Sequence, residues 1–470
     1  AHSVEAVPKI ARGAVCHVRT QACTGLADWC KLYFTEAAGI GNPPRHAETT
    51  RTENMNKKIQ LQLSIMMFLQ FFIWGGWFVT LGTFLGNNLG ASDSQIGMAF
   101  STQSWGAIIA PFIVGLIADR YFNAERLLAV IHIGGAVLMY QMANAASFDA
   151  FYPYVLLYMT LYMPTLALVN SVSFRQMTDP SKQFAGVRVW GTIGWIIAGL
   201  AISYAFNWDS PEAIAQGMLK NTFLMVAAAS LLLGLFSFTL PKTPPVPAAE
   251  SESSLKQSLG FEALGLLKDR NFLVFFVSSV LICIPLAFYY QNANPFLAEI
   301  GVTNPTGKMT LGQMSEVLFM LVLPVFLVRF GIKVTLLVGM LAWSLRYLLF
   351  AFGDADERAV MLIVGIALHG VCYDFFFVSG QIFVDSKAGE KIKSSAQGLI
   401  ALATYGLGML IGFNVAGLIS DHFTTATGHD WASIWHVPAV FAFVVLVVFA
   451  LLFKSEKIEY ADTGKEKQAS

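Results

Sequence analysis

Charge is scarce in this sequence. Only 13% of its 470 residues are Asp, Glu, Lys or Arg, about half the share of an average soluble domain. That scarcity excludes a water-soluble enzyme, whose surface could not be solvated. Neither sign is in excess: 30 Lys+Arg stand against 30 Asp+Glu, so the basic footprint needed for binding nucleic acid is missing. Cysteine is sparse too, five in all. Cys283 and Cys372 fall in apolar stretches, while Cys16, Cys23 and Cys30 are spaced more widely than the short pairs of zinc sites. Neither a disulfide framework nor a metal site is expected. What the chain has instead is 55% apolar residues, gathered largely in unbroken runs of about 20, the length that crosses a bilayer. A polytopic membrane protein follows, and a single-span receptor is excluded.

Residues 1–54 show neither an apolar periodicity nor the apolar core of a signal peptide. They read as a poorly ordered extension ahead of Met55. Twelve spans follow, near 61–85, 94–118, 126–146, 151–174, 184–206 and 221–240, then near 272–297, 308–329, 333–353, 359–385, 395–419 and 432–453. Basic residues orient them. One set of connections carries Arg120, Arg126, Arg175, Lys182, Lys242, Lys256, Lys268, Arg270, Arg329, Lys333, Lys387, Lys391 and Lys393; the alternate set carries only Lys220, Lys308 and Arg358. The first set is cytoplasmic by the positive-inside rule, which puts both termini inside. The expected fold is an all-α membrane protein with two six-helix bundles, 55–240 and 272–454, a cytoplasmic linker 241–271 and a cytoplasmic tail 455–470. The linker opens with the Pro- and Ser-rich "PKTPPVPAAESESS"; "LGFEALGLLKDRN" after it reads as a short amphipathic helix on the membrane surface. Six spans, a linker and six more is the layout of a two-half transporter.

Polar groups inside these spans narrow the chemistry, because a charge at the bilayer centre costs about 2.5–3.5 kcal/mol even on the lenient insertion scale. "LGQMSEVLF" puts Gln313 and Glu316 on one face of the eighth span, and "ALHGVCYDFFFVSGQ" puts His369, Tyr373 and Asp374 near the middle of the tenth. "GVRVWGTIGW" aligns Arg188, Thr192 and Trp195 on the fifth, and the seventh carries the polar-aromatic run "FYYQNANPF", with Tyr290, Gln291, Asn292 and Asn294. Arg346 in the ninth is expected to be a structural partner of Asp374, and Arg188 is close enough to the cytoplasmic end to reach lipid phosphates. Glu316 and Asp374 are hard to explain as packing. A carboxyl in a low-dielectric site holds its proton until solvent or a counter-charge arrives, which suits proton coupling. The neutral polar and aromatic neighbours suit an uncharged, hydroxyl-rich, ring-bearing solute. Sugars and nucleosides both fit, and the rings favour a nucleobase.

In the loop after the second span, "GLIADRYFNAERLL" resembles the loop signature of the major facilitator superfamily, with Asp119, Arg120 and Arg126 as a cytoplasmic latch. From about Leu61 to Lys454 the chain resembles the nucleoside–proton symporters of that superfamily, in "FLQFFIWGGW", "YMPTLALVNSVSF", "RVWGTIG", "SEVLF", "LPVFLVRFGIK", "AWSLRYLLFAFGD" and "YDFFFVSGQIFVD". The resemblance implies the major facilitator fold, uptake of nucleosides by alternating access, the proton as coupling ion and no other cofactor. It implies a bacterial inner-membrane location, membrane lipid as a partner beside the nucleoside, and a monomer. Carried over by position, Arg188, Thr192, Trp195, Gln313, Glu316, His369 and Tyr373 line the cavity and Asp374 is the coupling aspartate. Trp195, His369 and Tyr373 depart from the family's Phe, Tyr and Phe. Its polar pair on the seventh span falls on Ala287 and Tyr290, so that Gln291 or Asn294 would compensate. The preferred nucleoside is thereby left open. Two rivals stay beside this reading: a proton symporter for a sugar or short oligosaccharide, and a transport-inactive solute sensor.

Overall fold

The computed structural model describes residues 56–113, 121–178, 180–245 and 261–456. The extension 1–54, Asp119 and Arg120, much of the linker and the tail beyond 456 lie outside the described residues. The expected latch therefore keeps only Arg126, which is exposed.

Among the described residues, eleven helical segments are long and apolar enough to cross a membrane. One of them, Pro305–Phe352, has 48 residues. At 1.5 Å per residue it would measure about 72 Å, more than twice the hydrocarbon core. It is interrupted at Gly331, whose φ of 74° and ψ of 171° are not helical. The break falls between the expected eighth and ninth spans, so the described residues hold twelve helices of spanning length. Only glycine adopts that conformation without strain, so Gly331→Ala is expected to cost about 1–3 kcal/mol. A lowered melting temperature of the detergent-solubilised protein would register it.

The first span, Lys57–Phe78, is continued by Leu81–Leu89. The second to fourth are Asp93–Ile113, Ala124–Ala143 and Phe148–Arg175. The fifth, Pro180–Leu200, runs into a wider π turn at Ala201–Ala205, and the sixth is Lys220–Ser237. The seventh is Arg270–Glu299. The tenth runs from Ala359 through a π segment, Tyr373–Val378, to Gly389; the eleventh runs from Ile392 through a second π segment, Leu402–Gly408, to His422. The twelfth is Trp431–Leu452. Side chains mark several starts: Ser147, Asp269 and Asp430 each accept from a backbone N–H three residues on, satisfying an orphan donor of the first turn. The surface segment differs from expectation. Phe261–Lys268 is helical, but in the tighter 3₁₀ form.

Lipid offers no hydrophobic drive for helix pairing, so packing rests on close approach at small residues. Gly194 of the fifth span lies against the backbone of Phe68 in the first, where an added methyl would sit 3.0 Å from the carbonyl carbon. Gly370 of the tenth meets the backbone of Ser315 and Glu316 in the eighth in the same way. These contacts set the depth at which the fifth, eighth and tenth spans present their polar faces.

Candidate functional site

Three of the expected faces converge. Arg188 stacks its guanidinium 4.1 Å from the Phe71 ring centroid and lies within electrostatic range of Glu316 and Tyr373 on the other half of the chain. Trp195 meets Trp74 edge to face at 5.6 Å, in a space open because Gly75 has no side chain. Thr192 is half-buried on the same face. A pocket between the halves is lined by Val79, Trp195, Gly199, Tyr289, Tyr290, Thr306, Met309, Thr310 and Gln313. Glu316, one turn beyond Gln313, interacts electrostatically with both Arg188 and Asp374. The Asp374 side chain is fully buried, and neither carboxylate oxygen has a hydrogen-bond partner among the described residues.

Arg346 does not pair with Asp374. It is fully buried, with its guanidinium 3.3 Å from the Tyr289 ring centroid and Nη1 donating to His369 Nδ1 at 3.1 Å. The ring of His369 in turn stacks on Tyr289 at 5.4 Å. Asp374 lies five residues beyond His369, about 140° around an α-helix, so the two side chains leave the span on different sides and Arg346 meets the histidine. Arg346 therefore holds its charge against an aromatic face and a neutral imidazole nitrogen, which must accept and so carries no proton.

Gln291 and Asn294 do not face the pocket either. Gln291 Nε2 donates to the Asp93 carbonyl at 3.2 Å, and Asn294 joins Thr83 to Thr306 at 2.6 and 3.1 Å. Both belong to a seal between the halves at the end of the bundle remote from Lys57 and Phe453. In the same seal Asp209 accepts from the Thr306 N–H at 2.9 Å, Ser203 from the Gly307 N–H at 2.6 Å, and Asp421 from the Asp93 and Ser94 N–H groups at 2.8 and 3.0 Å. Among the described residues, every hydrogen bond between the first and second six spans lies in this remote part of the bundle. At the opposite end, ties such as Gln62 to the Thr239 carbonyl and Asn271 to the Lys454 carbonyl stay within one half. The two halves are thus joined remotely from the chain ends.

Tyr405 was not expected. Its hydroxyl lies 2.9 Å from that of Tyr373, and each sits on its own π segment. Such single-turn bulges gather at functional sites, but "LATYGLG" has no polar spacing that would have singled it out.

Residues 56–458 match the family model for the nucleoside H+ symporters. The chain is 42% identical over 413 residues to YegT of Escherichia coli strain K12, covering 86% of this chain and 95% of that one. It is 35% identical over 422 residues to the xanthosine permease of the same strain, covering 86% and 98%. The crystal structure of the nucleoside transporter NupG superposes with a TM-score of 0.76 at 31% identity, covering 85% of this chain and all of that one. Major facilitator architecture and a multi-pass place in the membrane follow, and with them this conclusion: the chain belongs to the nucleoside H+ symporter family of transporters.

Proposed function

We propose that the chain carries nucleosides inward together with protons by alternating access, across a bacterial inner membrane, with both termini in the cytoplasm. The observation that supports this best is Asp374, a membrane-buried carboxylate without a hydrogen-bond partner among the described residues, set within electrostatic range of Glu316. An uncompensated charge so placed costs several kcal/mol. A proton removes that cost, and loss of the proton restores it, so the protonation of Asp374 and the arrangement around it are bound to change together. Glu316 and Gln313 then take ribose hydroxyls, Arg188 and Thr192 fix the solute, and Trp195, Tyr290 and Tyr373 pack against the base. His369 meets the solute with Arg346 held behind it. Gln291 and Asn294 serve the seal instead. With the termini inside, the sealed end is the outer end and the conformation faces inward.

The test is uptake of labelled uridine and guanosine by transporter-deficient bacteria expressing the chain, with and without a protonophore. Accumulation that the protonophore abolishes is expected. No accumulation of either nucleoside, in cells whose membranes contain the protein, would overturn the nucleoside assignment and turn the search to sugars.

A further inference from the structure

The outer seal contains a titratable group that the transport reading does not use. His429 sits in the short hairpin of Thr424–Thr425 and Gly428–His429, between the eleventh and twelfth spans. Its Nε2 is 2.9 Å from Asp93 Oδ2, at the start of the second span, and its Nδ1 is 2.6 Å from Glu299 Oε2, at the end of the seventh. The His429 N–H also donates to Glu299 Oε1 at 2.7 Å. A neutral imidazole has one N–H and would aim a lone pair at one of the two carboxylates. Only the imidazolium donates to both.

We propose that His429 is a second proton site, loaded from the outer medium when the outer end closes and unloaded to the same side when it opens. This rests on the alternating-access reading. Asp93 belongs to the first half of the chain and Glu299 to the second, so opening separates Asp93 from the ring and leaves Glu299 on it. The proton therefore shifts the balance between outward- and inward-facing forms without adding to the number carried across.

The groups that face the ring fix the sign. Asp93 and Glu299 both favour its charge. Asp421 stands behind Asp93, taking its backbone N–H, and Asp430, next in the chain, is engaged with Ser433. Among the described residues, no Lys or Arg is paired with the ring. In the closed form the two carboxylates raise the His429 pKa from 6.5 to about 10. On opening it falls to a value between these, because Glu299 remains. Closure is fully favoured below that open-form value, and the advantage is lost as pH rises through about 10. Within the window the closed-to-open ratio falls by up to about tenfold per pH unit.

The experiment uses the full chain in lipid nanodiscs without nucleoside, with Cys16, Cys23 and Cys30 replaced by Ser. Spin labels at Gln216→Cys and Thr303→Cys, both exposed at the outer end of opposite halves, report the distance across the seal from pH 6 to 9.5. In the otherwise native chain, the long-distance population should grow with pH. His429→Gln should flatten the profile, and His429→Arg, charged throughout, should keep the short distance dominant at every pH. A native profile that does not move, or one that His429→Gln leaves unchanged, overturns the proposal. Nucleoside uptake is measured separately: a pH-dependent seal in a chain that moves no nucleoside sinks the transport reading alone, and the reverse pattern sinks this one alone.

Discussion

Asp374→Asn should abolish concentrative uptake while leaving nucleoside exchange in place. Asparagine matches the protonated carboxyl in size and neutrality, so the surroundings of Tyr373–Val378 are preserved. It cannot release the proton, so movement of the solute no longer depends on the gradient. For one proton per solute, a pH difference of one unit sustains about tenfold accumulation; the variant should reach only the external concentration. Exchange of internal for external nucleoside, followed by counterflow, checks that the cavity still works. Counterflow lost together with accumulation would mean that Asp374 acts in binding or folding rather than in coupling.

The other large effect is expected at Gly97. An added methyl there would run into the carbonyl oxygen of Phe413 and lie 3.3 Å from Gln291 Oε1, both on the opposite half. Backbone cannot swing aside as a side chain can, so under the proposed alternating access Gly97→Val should hinder closure of the sealed end. Overpacking of this kind costs about 1–3 kcal/mol, which would lower the closed-to-open ratio by roughly 5- to 150-fold. Transport should fall while a folded protein is retained, with the label pair across the seal moved to its longer distance. Gly194→Val is the contrast. Its clash is with Phe68 of the same half, so a lower melting temperature is expected in place of a shifted conformation. Equal transport by Gly97→Val and the native chain would show that closure of this seal is not required.

The spans were readable from the sequence because hydropathy and length determine them almost alone. The seventh was expected near 272–297 and found at Arg270–Glu299. Depth along a span was less readable. Tyr290 and Asn294 share a face by helical spacing, yet Tyr290 lines the pocket while Asn294, about 6 Å further along the axis, lies in the seal. A periodic pattern tells direction but not where a cavity ends. The pairing of Arg346 with His369 instead of Asp374 was hidden because the two residues stand about 140° apart on the tenth span and the sequence does not say which side faces the ninth. His429, Asp93 and Asp421 sit at span ends and in a loop, where polar residues are ordinary; only the folded chain brings them together across its two halves.

The most direct test is proton movement driven by nucleoside itself. In proteoliposomes with no pH difference or membrane potential, an inward gradient of uridine or guanosine should acidify the interior, as read by a trapped pH-sensitive dye. Asp374→Asn should remove that signal. Nucleoside entry without acidification in the native chain would contradict proton coupling.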